Sequence, residues 1–353
     1  MTTSSEPAHR FSHQAMGTFF EIAVAGEDET YAGQAAQAVF HEIDRIESLF
    51  NRFNPASEIS RMSRLKPGES LIIGIETFEC LTIADRARQE TQGAFDVNIR
   101  ALAKYQSPDM PGAPGNLVTC SEFSENPRMP TNLLSLNKGS ELASSPLKLI
   151  RTGSGFEALP TAQKDAPQRS LDLDLGGIGK GFALDKALAL LADWSIENAL
   201  IHAGTSTAVA IGSAPHDLDT KSSGAQRLIS EKKDMSPSPW GWPVGVGGGW
   251  PCPDAPRSIF LSGRALSGSG TEVKGSHILD PRTGNPAKGH IAAWASHPSA
   301  AIADALSTAF MVMSTEEVET YCLRHSDVWA LVVKDYGDCK SFGKIQGHMP
   351  NRV

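Results

Sequence analysis

The segment Asp172-Leu-Asp174-Leu-Gly176-Gly177-Ile-Gly179-Lys180-Gly181-Phe-Ala-Leu-Asp185 has the residue types that receive an anion. Glycines let the backbone approach a bound group closely. Free N–H groups at a helix start favour negative charge, and Lys180 adds a point charge. The spacing fits neither a Walker loop nor a dinucleotide-binding fingerprint, and a plain strand-to-helix turn with an exposed lysine would look the same. In Ala303-Asp304-Ala-Leu-Ser307-Thr308-Ala309, Asp304 and Thr308 are four apart and share a helix face. Their neighbours are apolar, so that face is buried, and a buried carboxylate needs a cation or hydrogen-bond donors. Carboxylate, hydroxyl and carbonyl oxygens are hard ligands suited to Mg²⁺. An Asp capping a helix start, with Thr308 bonding back to a carbonyl, fits equally. His277-Ile-Leu-Asp280-Pro-Arg282-Thr283-Gly284 sets a base of near-neutral pKa at a strand end before a turn, unless it is a satisfied core histidine. Gly93-Ala94-Phe95-Asp96, and Met16-Gly17-Thr18 with Phe53, offer flat or soft apolar surface for a planar ring; ordinary core packing accounts for them too.

These residues need elements to hold them. Residues 17–25 read as a strand. Residues 30–50 place Ala35, Ala38, Val39, Ile43, Ile46, Leu49 and Phe50 at helical spacing. Ser57, after the Asn54-Pro55-Ala56 turn, caps a short helix through Ile59. Further helices are expected at 76–91, 181–193 and 303–313. Further strands are expected at 171–175, 198–203, 207–211, 240–246, 258–261 and 328–333, with a short one at His277. Residues 106–170 are loop-rich, with strands such as Leu147–Ile150. Strands and helices mix without regular βαβ alternation, which predicts an α+β fold. The expected organisation is a flexible tail at 1–12, a single domain at 13–335 with a mobile loop at 214–238, and a C-terminal tail at 336–353.

At 353 residues the chain can bury a full core. Its net charge of −8 argues against nucleic acid, because no basic excess is present to release counterions. No apolar run approaches the roughly 18 residues of a membrane span. Cys80, Cys120, Cys252, Cys322 and Cys339 are scattered and form no CxxC pair, so neither zinc nor a disulfide framework is indicated. The first residues have no basic and apolar run of a secretory signal. Together these predict a soluble, cytoplasmic protein. The chain has 32 Gly and 22 Pro, a slight surplus that is clustered at Gly176–Gly181 and across 213–257.

In order along residues 16–309, the segments Met16-Gly17-Thr18, Phe53 with Ser57-Glu58-Ile59-Ser60, Gly93-Ala94-Phe95-Asp96, Asp174 to Gly181, Ser276 to Gly284, and Ala303 to Ala309 resemble the ApbE family of FAD:protein FMN transferases. The resemblance implies a T-fold-like mixed sheet and helix architecture with the FAD site in a cleft between subregions. It implies Mg²⁺-dependent transfer of FMN from FAD to a Thr or Ser of an acceptor protein, with AMP released. It assigns Gly177, Asp304, Ser307 and Thr308 to Mg²⁺. It assigns Lys180 to the phosphates or the AMP part, and Met16, Phe53, Ala94, Phe95, Asp96, Asp174 and Ile278 to the FAD site. His277 would be the base and, with Asp304, would carry the catalysis. The chain departs from the family pattern at His202-Ala-Gly204-Thr205-Ser206 and at Ser267–Gly275, where acceptor recognition or flavin stacking would be affected. FAD pyrophosphatase activity and non-catalytic FAD binding are the alternatives.

Overall fold

A computed structural model describes residues 8–101, 145–153, 155–161, 171–215, 241–246, 252, 256–271, 278–288, 290–334 and 338–345. The strands in chain order are β1 (His9–Ala15), β2 (Thr18–Val24), β3 (Leu71–Ile73), β4 (Leu147–Thr152), β5 (Gly155–Pro160), β6 (Ala199–Ala203), β7 (Thr207–Ile211), β8 (Trp242–Gly245), β9 (Ser258–Leu261), β10 (Arg264–Gly270), β11 (His290–His297), β12 (Trp329–Lys334) and β13 (Cys339–Phe342). The main sheet has eight strands in the order β1-β2-β6-β7-β10-β11-β12-β13, all antiparallel. Smaller sheets join β3-β5-β4 and β8-β9. The helices are α1 (Glu29–Phe50), α2 (Glu58–Met62), α3 (Ile75–Glu90), α4 (Gly179–Asp193), α5 (Ala300–Val312) and α6 (Thr315–Arg324). The α+β expectation holds.

The helices follow from pattern and caps. In α1, Ala35, Val39, Ile43, Ile46 and Phe50 recur at helical spacing and are all buried, while Asp28 caps the start by accepting from the Tyr31 N–H at 3.0 Å. Helix α5 is apolar on nearly every side and is the buried centre of the molecule, packed on β10, β11 and α4. Ala300, Ala301, Ala303, Ala305 and Ala309, all fully buried, let the neighbouring elements come close. Its only buried polar side chains are Asp304 and Ser307, with Thr308 half-buried beside them. Among the described residues Asp304 is the only carboxylate buried this deeply, and a buried carboxylate needs partners.

Several expectations are corrected. Strand β1 starts at His9, inside the expected tail, and pairs along its whole length with β2, from His9 opposite Val24 to Ala15 opposite Thr18. Its polar sequence hides it, because an edge strand needs pairing more than apolar content. Strand β13 likewise lies in the expected C-terminal tail and pairs with β12. Residues 171–175 are extended but form no strand. Leu171, Leu173 and Leu175 are buried, as the alternation requires, yet their segment bonds to loops instead of a ladder. The Asp172 N–H donates to Asn98 Oδ1 at 2.7 Å, Leu173 to Ser63 Oγ at 3.0 Å and Asp174 to the Val97 carbonyl at 2.8 Å. Of the expected mobile loop at 214–238, residues 216–238 lie outside the described residues. Among the described residues no helix is long and apolar enough to cross a membrane.

Candidate functional site

The site is built where the starts of α4 and α5 meet β7 and β10. Asp304, only 3 % exposed, is its centre. Its Oδ2 accepts the Gly181 N–H at 3.1 Å, and the Lys180 Nζ lies 3.8 Å from the same oxygen. Its Oδ1 takes longer bonds from Ser267 Oγ at 3.2 Å and Thr207 Oγ1 at 3.4 Å. Lys180 also donates to the Gly176 carbonyl at 3.1 Å, which folds its chain back over the glycine turn.

A second ring of hydroxyls continues from there. Ser307 Oγ donates to the Asp304 carbonyl at 3.0 Å and lies 2.9 Å from Ser269 Oγ. Thr308 Oγ1 donates back to the Asp304 carbonyl at 3.3 Å and lies 3.4 Å from Ser269 Oγ. The backbone bond expected of an ordinary helical Thr is thus present. Gly177 faces this ring, because a β-carbon there would stand 3.0 Å from Thr308 Oγ1 and 3.3 Å from Phe95 Cε2. Asp304, Ser307, Thr308, Gly177, Lys180 and Phe95 are therefore brought together in the fold. Among the described residues no three His, Cys, Asp or Glu side chains gather to hold a metal. The donors at hand are one carboxylate with hydroxyl and main-chain oxygens, a hard set that fits Mg²⁺ and suits zinc or copper poorly.

A flatter wall lies beside it. Asp174 pairs with Arg52 at 3.3 Å, and the Arg52 guanidinium sits 4.0 Å over the Phe53 ring. Asp174 Oδ1 also accepts the Gly176 N–H at 2.9 Å, so this wall is tied to the glycine turn. The Gly93–Asp96 loop reaches the same place through the Asp174 to Val97 bond. Ala94 and Phe95 are buried there, and the Asp96 carboxylate accepts the Asn98 N–H at 2.8 Å. Met16 and Gly17, at φ 49 and 70, make the tight β1–β2 turn. The β6–β7 turn packs on it, since the Gly204 N–H donates to the Phe19 carbonyl at 2.7 Å and a Gly204 β-carbon would fall on Thr18. Met16 thus neighbours the His202–Ser206 segment. Ile278 is half-buried against the main core. No described hydrogen bond joins Met16 or Ile278 to Asp304. His277 lies outside the described residues.

Sequence reading missed Thr207, Ser267, Ser269, Arg52 and the role of Asp185. A signal existed for the two serines, because Ser267 and Ser269 are two apart on one strand and so share a face. Asp185 on α4 accepts from Ser299 Oγ at 2.6 Å, the Ala300 N–H at 2.6 Å and the Ala301 N–H at 3.0 Å. Burial raises its pKa above the ordinary 3.8, although those three bonds pull the other way. Cys80 is fully buried, and its thiol is pushed up by burial first and by the Asp304 charge second, so it stays protonated.

Fold and site together define an α+β protein whose central buried carboxylate is ringed by hydroxyls at a glycine-rich helix start. The chain belongs to the ApbE family, whose model matches residues 16–332. It is 22 % identical over 344 residues to the FAD:protein FMN transferase of Salmonella typhimurium, covering 95 % of this chain and 87 % of the relative. It is 25 % identical over 305 residues to the FAD:protein FMN transferase of Chlamydia muridarum, covering 80 % and 77 %. Its fold matches the crystal structure of the Pseudomonas stutzeri flavinyl transferase ApbE in its apo form, with a TM-score of 0.66 at 19 % identity over 97 % of both chains. The ApbE protein of Thermotoga maritima matches with a TM-score of 0.66 at 23 % identity, over 95 % of this chain and 97 % of that one.

Proposed function

We propose that this chain is an FAD:protein FMN transferase that moves the FMN half of FAD to a Thr or Ser hydroxyl of an acceptor protein and releases AMP. The observation that carries the reading is the convergence on Asp304 of Lys180, the Gly181 N–H and the hydroxyls of Thr207 and Ser267. The names of the relatives support it. Asp304, Ser307, Thr308 and the Gly177 main chain would hold Mg²⁺. That ion supplies positive charge against the pyrophosphate and polarises its oxygens. Lys180, braced on the Gly176 carbonyl, meets the phosphates with a second positive charge. Phe53, Ala94, Phe95, Asp96, Asp174, Met16 and Ile278 line the FAD site in this reading. His277 takes the proton of the attacking hydroxyl. The hydroxyl oxygen bonds to the FMN phosphorus as the bond to the AMP oxygen breaks. We place the reaction in the cytoplasm, where the free thiols of Cys80, Cys252, Cys322 and Cys339 remain reduced.

The test is incubation of the protein with FAD, Mg²⁺ and candidate acceptor proteins. Mass spectrometry should find FMN on a Thr or Ser, with an equal amount of AMP. Asp304→Ala should abolish both products. Unchanged FAD in every mixture, with Asp304→Ala indistinguishable from wild type, would sink the reading. Free FMN and AMP without an acceptor would assign hydrolysis instead.

A further inference from the structure

Helices α4 and α5 exchange carboxylates. Gly181 and Asp185 are one turn apart on α4, and Ala300 and Asp304 are one turn apart on α5, so each pair shares a face. The two faces meet in opposite sense. Asp304 accepts the Gly181 N–H in the first turn of α4, and Asp185 accepts the Ala300 and Ala301 N–H groups in the first turn of α5. The first-turn N–H groups of any helix lack partners within it and carry partial positive charge. Here each start is satisfied by an acid from the other helix. The contact is close, because a β-carbon on Gly181 would fall on the Ala300 carbonyl. Ser299, the cap of α5, takes part as well: it accepts the Ile302 N–H at 3.3 Å and donates to Asp185.

We propose that Asp185 is a positioning residue for Asp304. Its hydrogen bonds go to Ser299, Ala300 and Ala301, none of which is assigned to the ion or the phosphates. It fixes the height and rotation of the first turn of α5, and so the place of the carboxylate one turn further on. Asp304 in turn holds the Gly181 N–H, so protection of that one amide reports where Asp304 stands. The catalytic consequence rests on the function proposed above; the positioning itself does not.

The test uses the full chain with Asp185→Asn, and Ser299→Ala as the milder variant should the first fail to fold. Amide hydrogen exchange is measured at residues 179–185 and 299–304. An asparagine can accept through only one oxygen, so the Ala300 and Ala301 amides should exchange faster. If Asp185 positions Asp304, the Gly181 amide, which Asp185 does not touch, should also exchange faster by about tenfold, the size of losing a bond to a charged group. A Gly181 amide as protected as in wild type, with faster exchange only at 300 and 301, overturns the proposal and leaves Asp185 a local cap. Where FMN transfer is observed, kcat should fall ~10-fold or more with the KM for FAD moved less than about twofold, as misplacement of a catalytic group predicts. A rise in KM at constant kcat also overturns it. A wild type without transfer bears on the proposed function alone, since the amide readout needs no turnover.

Discussion

Gly177 and Thr308 face each other with only 3.0 Å between the Thr308 hydroxyl and the point where a Gly177 β-carbon would lie. The glycine is needed for this approach, since its backbone conformation is one that any residue adopts. Gly177→Ala should leave the fold intact, because the atoms it meets belong to the Thr308 and Phe95 side chains. It should push the hydroxyl away from the ring of oxygens and lower FMN transfer by ~10-fold or more. A melting curve beside an AMP-release assay checks both halves, and unaltered release would remove Gly177 from the site.

Gly181 presents the opposite case. Its β-carbon would meet main chain, the Ala300 carbonyl, and main chain cannot turn aside as a side chain can. Gly181→Ala should therefore cost stability as well as activity, by roughly 1–3 kcal/mol or more, the range for overpacking a close contact. Urea unfolding measures this directly. A midpoint equal to wild type would show that the two helices part without strain.

Lys180 carries its charge between the Gly176 carbonyl and Asp304. Lys180→Met keeps the aliphatic stem and removes the charge. The expected outcome is loss of transfer by ~10²-fold, as when one charge-stabilising donor is removed from an active site. The same variant should still bind FAD by its ring, which flavin fluorescence can follow.

Phe53 is 77 % exposed, so its removal costs little core. Phe53→Ala should leave the melting temperature unchanged. It should weaken FAD binding by about tenfold, since stacking on an aromatic face is worth ~1–3 kcal/mol per base. Quenching of flavin fluorescence gives the dissociation constant. A variant that binds FAD like wild type would place the ring elsewhere.

His297 supplies a pH dependence. Burial lowers its pKa below the ordinary 6.5, outweighing the attraction of Asp327, and the nearby Arg264 charge lowers it further. Its Nδ1 accepts the Ser299 N–H at 2.9 Å, while Nε2 lies 3.1 Å from Asp327. The unfolded chain takes up the proton first as the pH falls. The contribution is therefore full above pH 6.5 and is lost on the way down toward the lower folded value. Melting temperatures across that window should drop less steeply in His297→Gln than in wild type. Equal slopes would assign the acid sensitivity to other groups.

The sequence revealed most where one physical cause acts alone. The spacing of Ala35, Val39, Ile43, Ile46 and Phe50 is dictated by burial of one face, and α1 follows it. Ser57 caps α2 as its position predicts, accepting from the Ser60 N–H at 3.1 Å. Strand β11 was not legible. Ile291 and Trp294 favour a strand, but Ala292 and Ala293 separate them and Ala295 and Ser296 follow, small residues with little strand preference, so no apolar alternation marks it and the neighbours β10 and β12 decide its state. Helix α6 was missed although Ser314 and Glu317 form a capping box before it. At the site, Asp304, Thr308 and Lys180 could be read from local spacing. Thr207 and Asp185 could not, because their importance comes from a meeting of β7, α4 and α5 that only the folded chain creates.

The reciprocal caps have a consequence for anyone redesigning the protein. Neither α4 nor α5 is complete as a separate part, since each would expose an unsatisfied start if its partner were exchanged. The pair is the smallest unit that can be grafted or recombined. Substitutions at Gly181, Asp185, Ala300 and Asp304 will show coupled effects rather than additive ones. Recombination between family members should therefore keep these two helices from a single parent, even though more than a hundred positions separate Gly181 from Asp304 in the chain.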